Sequence, residues 1–156
     1  MKKEIRPNTT SWNAVSDWYD KLLTTDADSY QAKVIAPNLT RILALKKGEQ
    51  VFDVACGQGY FSNIFAKEGA QVFASDISKR LIEHAKKSSP KTISYFISPA
   101  HRSPFVKTGS MDAVVIVLAI QNIENVSEVL AECARTLKKT GRMILVLNHP
   151  AFRVPQ

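Results

Sequence analysis

The spacing of apolar and polar positions changes several times along this chain of 156 residues. Residues 11–23 carry Trp12, Val15, Trp18, Tyr19, Leu22 and Leu23 at helical spacing behind Ser11, a candidate N-cap. Residues 29–45 repeat the spacing with Val34, Ile35, Leu39, Ile42 and Leu43. Pro37 is expected to kink or split this helix, and Lys46, Lys47 and Gly48 to stop it. Residues 51–56 form a mainly apolar run too short for a helix and suited to a buried strand. The chain then turns through Gly57 and Gly59 into Tyr60, Phe61, Ile64 and Phe65, again at helical spacing.

Strand and helix patterns alternate from there. Strands are expected over residues 70–75, 92–97, 111–120 and 142–148, with a loop rich in Pro, Ser and charge at 98–110. Ser78 can cap a helix with Leu81, Ile82 and Ala85 inward. Asn125 and Glu128 resemble a capping box opening a helix with Val129, Leu130, Cys133 and Leu137 inward, stopped by residues 138–141. The run from Met111 to Ile120 is almost wholly apolar, as a central strand covered on both faces must be. Such alternation argues an α/β fold with a parallel sheet between helices, and ligands bind at the carboxyl ends of its strands. That edge gathers residues 55–59, Asp76, residues 100–102 and residues 118–122. The expected organisation is one structural domain, with residues 1–45 as a helical cap and 46–156 as the core.

Composition narrows the picture modestly. With 45% hydrophobic and 22% charged residues the chain is ordinary for a soluble domain, and no apolar run is long enough to span a bilayer. No signal-peptide core follows the basic N-terminus, so a cytoplasmic protein is expected. Cys56 and Cys133 read as buried thiols, not as a disulfide framework, and no metal-ligand cluster is evident. The net charge of +7 raises the question of nucleic acid. Its lysines are spread over the ends and outer faces of many expected helices, which favours solubilising charge over a phosphate-tracking patch.

The glycine turn directs the chemistry. Glycines let a backbone approach a ligand closely, and the following helix N-terminus offers unpaired N–H groups. Asp76 lies at the end of the second strand, where an acid can accept hydrogen bonds from ribose hydroxyls; the alternative is an acid favoured by the helix dipole. A dinucleotide turn wants a third glycine where this chain has Ser62, so a nicotinamide-dependent oxidoreductase is the lesser reading.

Residues 51–62, VFDVACGQGYFS, resemble the first motif of class I S-adenosylmethionine-dependent methyltransferases, and residues 72–78, VFASDIS, their ribose-binding motif. Residues 110–115 and 134–145 resemble the family's entries into the fourth and fifth strands. The resemblance implies a Rossmann-like doubly wound sheet of five mainly parallel strands, order 3-2-1-4-5, and a methyl transfer from S-adenosylmethionine to a small molecule, releasing S-adenosylhomocysteine. By the same resemblance Ala55, Cys56, Gly57 and Gly59 would hold the methionine part, and Asp53 would support the turn and the ammonium group. Asp76 would take the ribose, Ile77, Ala100 and His101 would flank the adenine, and Leu118 and Gln121 would line the cleft near the sulfonium. Tyr19 would close over the cofactor, or pack as a core aromatic beside Trp18.

Two positions depart from the family pattern. Ala55 stands where a glycine is usual, adding a methyl group beside the cofactor's carboxylate. Pro99 replaces an acid that would bind the adenine amino group, so weaker cofactor binding is expected. His149, just past the fifth strand, is the candidate base for acceptors that must lose a proton, against a plain loop residue. The run from Ala119 to Asn122 lacks the Asn-Pro-Pro-aromatic pattern of enzymes that methylate planar amino groups. By the same resemblance, relatives continue past the fifth strand with another helix and two more strands, so either the chain is a truncated form or its apolar fifth strand is covered by a partner, most simply a second copy in a homodimer. The alternative function is a cofactor-binding module without catalysis.

Overall fold

The structure, a computed structural model, describes residues 29–148. The expectations for residues 11–23, including Tyr19, and for His149 lie outside the described residues. Five strands form one sheet: β1 (Gln50–Val54), β2 (Gln71–Asp76), β3 (Ser94–Ile97), β4 (Met111–Val117) and β5 (Leu137–Val146). Their order is β3-β2-β1-β4-β5 and every neighbouring pair is parallel. The helices are α1 (Ala36–Leu43), α2 (Tyr60–Lys67), α3 (Lys79–Ser88) and α4 (Val126–Thr136).

Alternation within β1 separates the two layers. Val51 joins Val72, Ala74, Ala113 and Val115 in a core completed by Leu39 and Leu43 of α1, Phe65 of α2, and Ile82 and Ala85 of α3. Phe52 and Val54 point the other way, against Val114, Ile116, and Val129 and Cys133 of α4. Strands buried on both faces lose the polar-apolar alternation that an exposed sheet would show. Phe105, from the loop after β3, stacks on Phe96 at 3.9 Å and meets Phe52 edge-on at 5.9 Å.

Local chemistry explains most boundaries. Ser78 caps α3, its hydroxyl accepting from the Leu81 N–H at 3.3 Å. A π-helical stretch, Gln31–Ile35, runs directly into α1 and Pro37 is the second residue of α1, so the helix is irregular just before the proline instead of being split by it. The helix stops at Ala44, which takes a left-handed conformation, so the stop comes earlier than Lys46. Val34 and Ile42, expected inside, are 39% and 52% exposed, leaving Ile35, Leu39 and Leu43 as the buried stripe.

The last crossover differs more. Asn125 is the N-cap residue of α4 but makes no side-chain capping bond, so the capping box is absent; Leu130 faces outward at 39% exposure. The helix ends at Thr136 because the backbone N–H groups of Gly109 and Ser110 bind the carbonyls of Arg135 and Thr136, both at 2.9 Å. Leu137 is then already opposite Met111, and residues 138–141 form a bulge before Arg142 pairs with Ala113. A Cβ on Gly141 would lie 3.0 Å from the carbonyl oxygens of Lys138 and Met111, which explains glycine at the bulge. Lys138 joins Asp112 across the bulge at 2.7 Å.

Candidate functional site

The carboxyl ends of β1, β2 and β4 open into a cavity of about 470 Å³, within the usual range for small-molecule sites. Its floor is the turn between β1 and α2. Ala55, Gly57 and Gly59 all take left-handed conformations, with φ of 56°, 58° and 83°. For glycine this conformation is free; for Ala55 it carries a steric cost, since its methyl group crowds the backbone. A Cβ on Gly57 would meet nothing within 4 Å, whereas one on Gly59 would fall on the Tyr95 hydroxyl. The two glycines therefore have different reasons: one leaves space in the cavity, the other accommodates a buried phenol.

Two acids support this turn. Asp76 ends β2 and is buried, its Oδ2 accepting from the Gly57 N–H at 2.9 Å and its Oδ1 from the Ser78 N–H at 2.8 Å. Burial raises its pKa, and those backbone N–H groups oppose the rise. Asp53 is 2% exposed and accepts from the Ser62 hydroxyl at 2.5 Å. Burial, opposed by that hydrogen bond, pushes its pKa up to about 7. Cys56 lines the cavity half-buried, not fully buried as expected from the sequence, and desolvation raises its thiol pKa.

The opposite wall is the loop after β3, including Ser98, Pro99, Ala100 and His101. It is fastened to α4 by Arg135, whose guanidinium donates to the carbonyls of Ser103 at 3.0 Å and Val106 at 3.1 Å. Glu132 accepts from the Ser103 N–H at 2.7 Å, and Arg135 beside it holds its carboxyl down to about 2. The mouth is made after β4: Leu118 turns the chain at φ 52°, and a single 3₁₀ turn, Ile120–Asn122, follows.

Of the residues singled out in the sequence, Asp53, Ala55, Cys56, Gly57, Asp76, Ile77, Ala100, His101 and Leu118 stand on this cavity. Gly59 lies behind its wall, against Tyr95. Gln121 stands outside the cavity: the 3₁₀ turn directs it to solvent, where its amide donates to the Leu118 carbonyl at 3.2 Å, and Asn122 lines the cavity instead. The sequence reading placed residues 55–59 at this edge without giving Gln58 a role, and it missed Ile123 and Glu124. Gln58 sits between the two glycines, a position that could have marked it; the other two depend on the 3₁₀ turn, which carries no sequence signal.

The cavity suits the ligand implied by the turn. Among the described residues its lining has no lysine or arginine, yet it includes the buried acid Asp53. Such a wall accommodates a cation such as an ammonium or sulfonium group. Ile77 and Leu81 offer apolar surface for a base beside Asp76.

The comparisons with known proteins agree. Residues 52–145 match the methyltransferase domain family model. The chain is 31% identical over 129 residues to the ubiquinone biosynthesis O-methyltransferase of Xanthomonas oryzae pv. oryzae strain PXO99A, covering 77% of this chain and 54% of that protein. It is 29% identical over 154 residues to the demethylmenaquinone methyltransferase of Thermobifida fusca, covering 93% and 62%. The chain thus spans about half to three-fifths of the length of these relatives. Among solved structures, a methyltransferase-described protein of Methanococcus maripaludis superposes with a TM-score of 0.74 at 21% identity, over 89% of this chain and 65% of that one. One from Bacillus halodurans gives a TM-score of 0.67 at 30% identity, over 72% and 50%. Together with the 3-2-1-4-5 sheet and the acid-supported glycine turn, these matches establish that the chain belongs to the class I S-adenosylmethionine-dependent methyltransferase-domain family.

Proposed function

We propose that this chain transfers a methyl group from S-adenosylmethionine to a small-molecule acceptor. The observation that carries the reading is the Asp76–Gly57 hydrogen bond, which joins the expected ribose acid to the turn expected to hold the methionine part. The cofactor supplies an electrophilic methyl group on a sulfonium. Methyl transfer is an in-line displacement, so the chain's contribution is chiefly positioning and exclusion of water.

Each wall has a part. Asp76 keeps lone pairs for ribose hydroxyls while its backbone contacts fix its orientation. Asp53, once ionised, stabilises a cation at the turn. Val117, Leu118, Ala119 and Ile123 supply the apolar mouth on the acceptor side. The names of the relatives, ubiquinone biosynthesis O-methyltransferase and demethylmenaquinone methyltransferase, support an acceptor with a quinone-type or phenolic ring. For a phenolic acceptor His149 is the base to test; a carbon acceptor on an electron-rich ring places a different demand on it.

A transfer assay with methyl-labelled S-adenosylmethionine and a panel of catechols, phenols and hydroquinones tests the reading. Label in an acceptor, with S-adenosylhomocysteine formed in equal amount, is the expected result. Saturable cofactor binding with no transfer to any acceptor would support the binding-module reading instead. We also propose a homodimer along β5, for which the 39% and 53% exposures of Leu145 and Leu147 speak; light scattering giving only the monomer mass counts against it.

A further inference from the structure

The loop after β3 supplies the cavity wall opposite the glycine turn, through Ser98, Pro99, Ala100 and His101. From Ile97 to Arg102 no residue is buried, and Ala100 brings only a methyl group to the core. The wall is held at its ends instead. At one end the Ser98 N–H donates to the Asp76 carbonyl at 3.0 Å. Between the ends the stretch closes on itself, the Arg102 N–H donating to the Pro99 carbonyl at 3.0 Å and the Ser98 hydroxyl to the Arg102 carbonyl.

The other end is Ser103, 1% exposed and the first buried residue after the wall. All its polar groups are taken by α4. Its N–H and hydroxyl donate to Glu132, the N–H at 2.7 Å, and its carbonyl accepts from Arg135 at 3.0 Å. Arg135 meets both oxygens of Glu132 at 2.8 Å and reaches on to the Val106 carbonyl at 3.1 Å and the Thr108 hydroxyl at 3.0 Å. A planar guanidinium spans such a set of acceptors, which a lysine ammonium cannot.

The chemistry of the wall makes its position matter. Pro99 has no N–H, Ala100 has no polar side-chain atom, and the Ser98 hydroxyl is engaged within the loop. These residues hold a base through surface contact, and a gap of about 0.5–1 Å forfeits a quarter to a half of such a contact.

We propose that Glu132 and Arg135 are positioning residues for the nucleoside end of the ligand: by holding Ser103 they set where Pro99, Ala100 and His101 stand against the base. The assignment rests on the methyltransferase reading. Neither residue lines the cavity, so both act through the loop and not by touching the ligand.

The test combines calorimetry and hydrogen exchange on the full chain and on Arg135→Lys, which keeps the charge beside Glu132 without the fork. The expected result is an equal loss, about fivefold, in affinity for S-adenosylhomocysteine and 5′-methylthioadenosine, which share the nucleoside. Amide exchange should quicken over residues 98–103 and stay unchanged in β1, β2 and β4. Quicker exchange in the loop with full affinity for both ligands overturns the proposal, because the position of the wall would not govern binding. Unchanged exchange in the loop, or quicker exchange throughout the sheet, also overturns it. Ser103→Ala, which removes one donor to Glu132, should move both readouts the same way by less, and decides the matter if Arg135→Lys does not fold. Failure of the unsubstituted chain to bind either ligand overturns the methyltransferase reading itself, and this inference with it.

Discussion

The Asp76 carboxylate and the Gly57 N–H are joined at 2.9 Å, linking the end of β2 to the turn after β1. Nineteen residues separate them, so the bond couples two segments that a ligand must touch together. Substituting Asp76→Ala removes acceptors from the N–H groups of both Gly57 and Ser78. Losses of about 1–3 kcal/mol in stability are expected, together with loss of nucleoside binding. Urea unfolding and calorimetry with 5′-methylthioadenosine check the two halves; full nucleoside affinity in Asp76→Ala would refute the ribose role.

Asp53 makes stability depend on pH in a defined direction. Its pKa rises from 3.8 to about 7 on folding, chiefly through burial, so the native chain retains a proton that the unfolded chain has lost. Its stabilising contribution is full below about 4 and is lost as pH rises through about 7. Asp53→Asn is therefore expected to flatten the fall in stability between about pH 4 and 7, followed by urea unfolding at each pH. A cation bound beside Asp53 favours its ionised form, so S-adenosylhomocysteine should bind more tightly at pH 8 than at pH 6 and release a proton on binding. Equal affinities at the two pH values would exclude that linkage.

Ala55 and Gly59 invite opposite substitutions. Ala55→Gly removes a methyl group held at φ 56° and should stabilise the chain by roughly 0.5–1 kcal/mol, after allowance for glycine's freer unfolded state. It should also tighten S-adenosylhomocysteine binding. Gly59→Ala should destabilise by about 2 kcal/mol or more, because the new Cβ meets the Tyr95 ring as well as its hydroxyl. Tyr95→Phe should not rescue it, since the ring carbon bearing the hydroxyl lies 2.9 Å from that Cβ. Thermal melts of the three variants decide the matter.

A stability effect without a binding effect is expected at the other edge of the sheet. Arg142 of β5 donates to the Leu43 carbonyl at 2.8 Å and pairs with both oxygens of Glu49, at 2.7 and 3.2 Å. It so ties the end of α1 to the strands. Arg142→Met should cost about 1–3 kcal/mol and leave ligand affinity unchanged. Glu49 has its pKa lowered, first by the Arg142 hydrogen bond, so the pair's contribution is present above about 4.5 and lost as pH falls through the lowered value. Acid unfolding that starts at a higher pH in Arg142→Met is the expected readout.

The sequence carried the α/β plan because β1 and β4 are buried on both faces, which leaves unbroken apolar runs bounded by turn residues. Ser78 was legible for a similar reason: its cap depends only on residues three positions apart. The irregular joints were not legible. The bulge at residues 138–141 depends on where Met111 sits in the neighbouring strand, and Leu130 is outward because α4 presents a narrower stripe than its apolar residues suggest. In the site, residues on the turn and the β2 end were placed by motif spacing. Gln121 and Asn122 exchanged places relative to the expectation because the left-handed Leu118 and the 3₁₀ turn rotate the segment after β4.

Calorimetric titration with S-adenosylmethionine and S-adenosylhomocysteine, with NAD as the control, tests the central claim most directly. The account predicts saturable binding of both sulfur nucleosides at one site per chain and none of NAD. No binding of either nucleoside by the folded chain, or binding of NAD in their place, would contradict it.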